Sequence, residues 1–586
     1  MSSDHPNGTS SMLSKLTRLS PAKILEAVLI AVLILLLWQT VLLSMSKVFA
    51  IDELSYAHAA WLVSKGQVPW RDFFEIHVPL VYQLLSMVFV LGDDKPTLIT
   101  AMRWLMLGPV FLTMWSMWRV NRNDSGVMAL FGPILALLVT DHVIRWIEIR
   151  PDVLAFSLVL AAVALPYASR PGPRVRAILA GVAFALACWT TQKVYYYGSV
   201  FVAAWVADML LWRRMPDTAR YILGHPKWFA EGVLIVVLCV TSYLTLTGTW
   251  ADWWNSTITW GAHHQDKYPG FSWHDHSYRL VQDYWWILIF SAIGLAATIR
   301  KLGNSNESHP SDQLLVALLI STFLSVAIQQ AAFAYSYIPL INMCCIFAAR
   351  GMMELWRLSL AASKKGSLSP VFVACACFIL IVFVAHRATT KLAKQAVRTN
   401  TYQLSVLEEL NRLTDPGDTV YDNSGSFVSR PHAYFMYYTD AGIRKAQAAK
   451  LAHEVPRDIL STQTVAELRD LRFKGLPKSL KQFLQSHFQP YNGDIRLWGS
   501  RYQDNKKGNF TAVTNATYFV EPASVAASGE LLIDGEVVGD TFDLSRGEHT
   551  VEYRGANRDF YILWMPRDGK RWRPQEAARP RFSVLF

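Results

Sequence analysis

Residues 50–80 read AIDELSYAHAAWLVSKGQVPWRDFFEIHVPL. They follow directly on an apolar run, 24–46, long enough to cross a hydrocarbon core of about 30 Å. Two acids, Asp52 and Glu53, stand just beyond that run, where an acidic side chain near lipid is costly unless it is paired or used. Ala57, Ala60, Trp61 and Val63 recur at helical spacing, which predicts an amphipathic helix over 53–64 lying on the membrane. Gly66 and Pro69 break it, and Asp72, Glu75 and His77 follow within a turn's length beside Pro79. A plainer reading of the same residues stays open: Asp52 and Glu53 as helix-capping acids, and 72–77 as a solvated loop.

The rest of the chain has the composition that this opening demands. Of 586 residues, 52% are apolar and only 17% charged, against about 25% charged in soluble chains. Mean hydropathy is +0.20. These values exclude disorder, collagen, a disulfide scaffold and a string of soluble domains, and leave a polytopic membrane protein with a sizeable soluble part. The six cysteines, Cys188, Cys239, Cys344, Cys345, Cys375 and Cys377, all fall in apolar stretches without metal-ligand spacing.

Eleven spans are expected, near 24–46, 98–118, 126–140, 153–168, 177–190, 194–212, 229–248, 283–298, 313–331, 333–349 and 370–386. The apolar segment 78–91 is too short to cross as a helix, and is placed as a juxtamembrane helix on the outer face. The net charge of +11 then acts as a compass. Arg119, Arg122, Arg170, Arg174, Arg176, Arg213, Arg214, Arg220, Arg300, Lys301, Arg350, Arg357, Lys364 and Lys365 fall on one side with Lys15 and Arg18, which the positive-inside rule makes the cytoplasm. A nucleic-acid partner is not expected from charges spread this way. Loops 47–97, 141–152 and 249–282, and all that follows 387, face outward.

Those outer loops hold the candidate chemistry. Loop 141–152 carries Asp141, Arg145, Glu148, Arg150 and Asp152, and Lys193 ends a span in TTQKVYYYG. Cations at the outer face can meet a phosphate, or simply snorkel to lipid headgroups. Asp152 follows Pro151, an ordinary pair at a helix start. Asp141 and Glu148 are alternatives for an acidic site with Asp52. Loop 249–282 places His263 and His264 near Asp266, and His274 and His276 around Asp275. They could supply ligands to zinc or manganese, but the spacing matches no closed site, and the reading favoured over it is an aromatic belt with loop histidines. No phosphate loop, Rossmann fingerprint, HExxH or GxSxG is present.

The string DELSYAHAAWLVSKGQVPWRDFFEIHVPL (52–80) resembles the first periplasmic loop of the GT-C superfamily of polyprenyl-phosphate-sugar-dependent glycosyltransferases, relatives of the protein O-mannosyltransferases and the lipid A aminoarabinose transferase. One departure is that Val78 precedes Pro79 where the pattern has a double proline. The likeness extends loosely to IRPDVLAFSL (149–158), TTQK (190–193) and AYSYIPL (334–340). It covers the membrane half and says little about 400–586.

The resemblance implies a GT-C-like fold. It implies Asp52, or second Glu53, as catalytic base on an acceptor hydroxyl, with or without a divalent cation (Mg, Mn or Zn). Lys193, Arg150 and Arg145 would bind the donor phosphate. Asp72, Glu75, His77, Asp141, Glu148, Asp152, His263, His264, His274 and His276 form a second rank for substrate or metal. The implied partners are a polyprenyl-phosphate sugar, membrane lipids and a glycan, lipid or protein acceptor.

The expected organisation is therefore a membrane catalytic part, 1–386, then a periplasmic α/β part, 387–514, and a small β-sandwich, 515–586. In the tail a helix is predicted over 388–413, a strand at 419–421, and a hairpin around Asp534–Gly535. The expected function is sugar transfer, with inversion, on the outer face of a bacterial inner membrane. A transporter or flippase of lipid-linked sugars, or a non-catalytic envelope component, is the alternative. Spans nearly free of charge, with acids crowding their outer ends, favour interfacial chemistry over transport.

Overall fold

The computed structural model describes residues 21–92, 94–214, 221–260, 273–303, 309, 311–329, 332–364, 385–386, 388–503, 507–527, 530–555, 558–575 and 582. Its first part is helical: α1 (Pro21–Ser46), α2 (Ile51–Ser64), α3 (Leu80–Ser86), α4 (Leu98–Ser125), α5 (Phe131–Leu138), α6 (Thr140–Trp146), α7 (Pro151–Ala164), α8 (Pro173–Cys188), α9 (Ser199–Arg214), α10 (Pro226–Thr247), α11 (Trp273–Leu302), α12 (Asp312–Ile328) and α13 (Ile338–Lys364). Ten of the eleven expected windows coincide with a helix; most of the eleventh, 370–386, lies outside the described residues. Among the described residues, six helices are long and apolar enough to cross a membrane, and seven if 126–138 and 140–146, bent by 83°, form one broken span. Segment 78–91 is a short helix, α3, running on into a 3-10 turn, Met87–Leu91.

Small residues let these helices touch. On α8 and α10, a side chain at Gly181 would overlap the Phe229 carbonyl, and one at Gly232 the Ile178 carbonyl. Gly294 of α11 and Gly351 of α13 face each other in the same reciprocal way. Backbone contact of this kind supplies the dispersion that lipid-embedded helices need, since burial from lipid offers no hydrophobic gain. One expected loop charge is instead interior. Arg350 is 5% exposed; its Nη2 pairs with Asp312 at 2.9 Å and also donates to the Val120 carbonyl, while Nε reaches Asn121 and Nη1 reaches Thr298. It is held inside because each of these partners satisfies part of the guanidinium fork.

The tail contains α14 (Thr401–Leu413), α15 (Ala441–Ala446), α16 (Ala448–Ser461), α17 (Lys478–His487) and eleven strands. These are β1 (Val420–Tyr421), β2 (Ala466–Leu468), β3 (Phe488–Asn492), β4 (Ile495–Tyr502), β5 (Lys507–Ala512), β6 (Ala516–Glu521), β7 (Leu531–Ile533), β8 (Glu536–Val537), β9 (Thr541–Leu544), β10 (Gly547–Tyr553) and β11 (Phe560–Trp564). Seven strands form one sheet in the order β1-β2-β4-β11-β6-β9, with β3 also on β4; the other four run β5-β10-β7-β8. Strands on both sides of residue 514 thus share a sheet, through β4 and β11. The β7–β8 hairpin turns at Asp534 and Gly535, both with positive φ (53° and 84°), the backbone of a tight two-residue hairpin.

The predicted helix 388–413 is broken where the tail meets α1. The last carbonyls of α1 lack intrahelical donors, and Asn400 supplies them: its N–H donates to Ser46 O and its side-chain amide to Met45 O, both at 2.9 Å. Gln403 brackets Phe49, accepting from its N–H at 2.6 Å and donating to its carbonyl at 3.0 Å.

Helix α2 corrects the expectation of a helix lying on lipid. Ten of its fourteen residues are buried, because the tail covers its other side. His58 donates through Nδ1 to Val428 O at 2.7 Å, and its Nε2 lies 3.3 Å from Nδ1 of His432. Gly425 (φ +66°) sits so close to His58 and Tyr437 that a β-carbon would collide with both rings. Burial, with His432 beside it, pushes the His58 imidazole well below its ordinary value of 6.5. Below pH 6.5 the unfolded chain therefore takes up a proton that folded His58 refuses, and stability falls with pH. His58→Gln is expected to flatten the loss of thermal stability below pH 6.5, as measured by unfolding of the detergent-purified protein; an unchanged pH slope would show that His58 is not its source.

Candidate active site

Glu53 and Asp52 are neighbours in the first turn of α2 with opposite surroundings. Glu53 is fully buried, and its carboxylate accepts from Arg103 at 2.7 and 2.6 Å, from Ile149 N at 3.0 Å and from Ala50 N at 2.9 Å. Arg103, from α4, spends its remaining donors on the carbonyls of Ser44, Lys47 and Val48. Asp52 points the other way, with a side chain 19% exposed. Its Oδ2 lies 3.3 Å from Arg150 and its Oδ1 3.4 Å from Arg472.

Arg150 leads a chain of charges. It is fully buried ahead of α7, donates to Glu148 at 2.6 Å, and lays its guanidinium 4.2 Å from the centre of the Tyr335 ring. Glu148 also takes Lys47 at 2.5 Å and Arg145 at 2.8 Å. Burial pushes the Glu148 carboxyl up, but Lys47, Arg150 and Arg145 together hold it well below the usual carboxylate range. Across the same Tyr335 ring, also at 4.2 Å, stands Lys193, which pairs with Asp152 at 3.0 Å and keeps 27% of its side chain exposed. Asp52, Arg150, Glu148, Arg145, Asp152 and Lys193 therefore form one network around a tyrosine.

The four strings quoted from the sequence meet here. The outer loop supplies Asp52, IRPD supplies Arg150 and Asp152, TTQK supplies Lys193, and AYSYIPL supplies Tyr335. Gln192 of TTQK also donates to Ile76 O in the outer loop.

The second rank divides. Glu75 is buried, accepting from His77 Nδ1 at 2.9 Å and from Tyr437 of the tail at 3.0 Å. His77 sets its ring edge-on to Tyr56, 5.8 Å away, so both lie behind α2. Asp72 is an outer-surface residue paired with Arg71 at 2.9 Å. Asp141 joins Tyr284 at 3.0 Å and Lys391 at 3.6 Å in a separate cluster. His263 and His264 lie outside the described residues, as do the side chains of His274 and His276. Among the described residues no group of three or more His, Cys, Asp or Glu side chains is arranged to hold a metal ion, so no step is routed through one.

Four participants escaped the sequence. Tyr335 lies within a quoted string but carries no charge to single it out. Lys47 opens the outer loop and Arg103 falls inside the expected span 98–118, and neither is singled out. Arg472 is 420 positions from Asp52, and no local pattern marks it.

Removing the Glu53 charge tests the brace. Glu53→Gln leaves Arg103 buried without its counter-ion, at a cost of about 3–5 kcal/mol. A marked fall in unfolding temperature is expected, and wild-type stability would show that the pair is dispensable.

No protein-family model matches the sequence, and no curated protein matches it. Solved structures do. The apo structure of ArnT from Cupriavidus metallidurans is 13% identical, covers 91% of this chain and 98% of its own, and superposes with a TM-score of 0.52. ArnT bound to undecaprenyl phosphate scores 0.48 at 13% identity, over 90% and 97% of the two chains. The Archaeoglobus fulgidus oligosaccharyltransferase in apo form scores 0.49 at 12% identity, over 79% and 73%. The likeness to apo ArnT runs across nearly the whole of both chains and shows that this chain shares the fold of that structure, and its long apolar helices are those of a multi-pass membrane protein.

Proposed function

We propose that this protein is a glycosyltransferase that moves a sugar from a polyprenyl-phosphate carrier to an acceptor hydroxyl, with inversion, on the outer face of a bacterial inner membrane. The observation that carries the reading is the pairing, around Tyr335, of a partly exposed carboxylate with a partly exposed ammonium. The ArnT-like fold and the outer-loop resemblance agree with it.

In this reading the acceptor oxygen attacks the anomeric carbon while the bond from that carbon to the lipid phosphate breaks. The electron pair leaves with the phosphate, and the acceptor proton passes to Asp52 as general base. Lys193 meets the departing phosphate, stabilising charge that grows in the transition state. Arg150 and Arg145, committed to Glu148, orient Asp52 and keep the local potential positive. Glu53 serves as the brace that sets Asp52 in place, not as a second base. Residues 1–386 supply the catalytic part, with eleven spans, and the tail, 387–586, whose sheets run across residue 514, lies in the periplasm.

The full-length protein in nanodiscs is assayed for transfer from tritiated undecaprenyl-phosphate hexoses and pentoses to membrane glycolipids. Asp52→Asn is expected to reduce kcat by roughly 100-fold or more. Lys193→Met is expected to lower kcat and to weaken undecaprenyl phosphate binding. Full activity of Asp52→Asn would overturn the assignment of the base, and unchanged phosphate binding by Lys193→Met that of the cation.

A further inference from the structure

Arg472 belongs to the tail, just past β2, yet its guanidinium lies 3.4 Å from Asp52 on the first helix beyond the first span. It is not a loose surface arginine: its side chain is 10% exposed. Its backbone N–H donates to Asp470 Oδ1 at 2.8 Å, and its Nη1 donates to the Asn423 carbonyl at 3.2 Å. Asp470 in turn accepts from the Ser424 hydroxyl.

The loop carrying Asn423 is itself rigid. The Asp422 carboxylate accepts from the N–H groups of Ser424 (2.9 Å), Gly425 (2.6 Å) and Ser426 (2.6 Å). The same loop presses Gly425 against His58, six residues beyond Asp52 on the same helix. A closed bracket thus runs from Asp52 along α2 to His58, across to Gly425, through Asn423 to Arg472, and back to Asp52.

On the far side of the carboxylate, Arg150 contacts Oδ2 and is locked by Glu148. Asp52 therefore stands between two cations, one held by the membrane part and one by the tail. A carboxylate with a guanidinium on each oxygen has little freedom about its last torsion. That is the pre-organisation a general base needs, because misplacement by about 1 Å can cost a factor of about 100.

We propose that Arg472 is a positioning residue for Asp52, so that the tail completes the active site rather than merely decorating it. The inference rests on the reading of Asp52 as base. Charge from the tail orients the carboxylate without touching the donor phosphate, and transfer depends on the tail being seated on α2.

The test uses the full-length protein in nanodiscs and the tritiated undecaprenyl-phosphate sugar on which the unaltered protein turns over. Arg472→Ala and Arg472→Gln are expected to lower kcat roughly 10- to 100-fold, with the KM for donor and the binding of undecaprenyl phosphate changed by no more than about threefold.

Arg472→Lys keeps the charge and loses the fork; it should recover part of kcat and leave the KM for donor unchanged. Arg469→Ala, whose side chain pairs with Glu467 in the same segment, is the control and should leave all three readouts unchanged. Should Arg472→Ala fail to fold, the bulkier Arg472→Gln carries the neutral arm. Unaltered kcat in a folded neutral variant, alongside an inactive Asp52→Asn, overturns the role of Arg472 and leaves the base standing. A neutral variant that loses donor binding as strongly as kcat also overturns it, since Arg472 would then act on the phosphate. An active Asp52→Asn overturns the base itself and this inference with it.

Discussion

One buried ion pair organises the outer end of this protein. Arg103 and Glu53 are both withdrawn from solvent, a costly arrangement unless every donor and acceptor is matched. Here they are matched by the chain itself. Arg103 closes the open carbonyl end of α1 at Ser44, Lys47 and Val48, and Glu53 takes the N–H groups of Ala50 and Ile149. Three segments far apart in sequence are thereby held within a few ångströms. Asp52 inherits its position from its neighbour: with Glu53 pinned inward, the next side chain on the helix must face Arg150 and the tail.

Around that pair the protein sorts its charges by exposure. Lys47, Arg145 and Arg150 converge on Glu148, which stays ionised because three cations outweigh the penalty of burial. Such a cluster is rigid and self-satisfied. Asp52 and Lys193 sit at its edge, each tied to one strong partner or two longer ones, and each still partly open to solvent. The transfer proposed for this site would use such a contrast, with fixed charges setting the field and accessible ones meeting substrate.

The helical half was legible because long apolar runs leave few alternatives: a segment of 20 such residues is a span or a buried helix, and its ends are marked by arginines and prolines. Ten helices lie where the runs predict them. The loop residues were legible as a set too, since Asp52, Arg150, Asp152 and Lys193 each stand at the end of a span. Their grouping around Tyr335 was not, because helix order around a bundle leaves no trace in local composition. Nor could hydropathy show that Arg350 is interior, as its partners Asp312 and Asn121 lie 38 and 229 positions away. Helix α2 was predicted correctly as a helix and wrongly as a lipid-facing one. Its alanine and tryptophan face suits a protein surface as well as a bilayer, and the covering layer arrives from beyond residue 420.

The sequence by itself determined that this chain crosses a membrane many times, which ends of its helices carry acids and bases, and that a cysteine-free tail of mixed α and β character follows. Those properties are local: they depend on hydrophobic length, helix period and turn chemistry. Only the tertiary structure decided which of two adjacent acids is buried as a brace and which stays partly open to solvent. It alone brought Lys193 and Arg150 to one ring, and set a tail arginine against Asp52. Each of those outcomes depends on the summed desolvation and pairing of groups hundreds of residues apart, which no window of sequence contains.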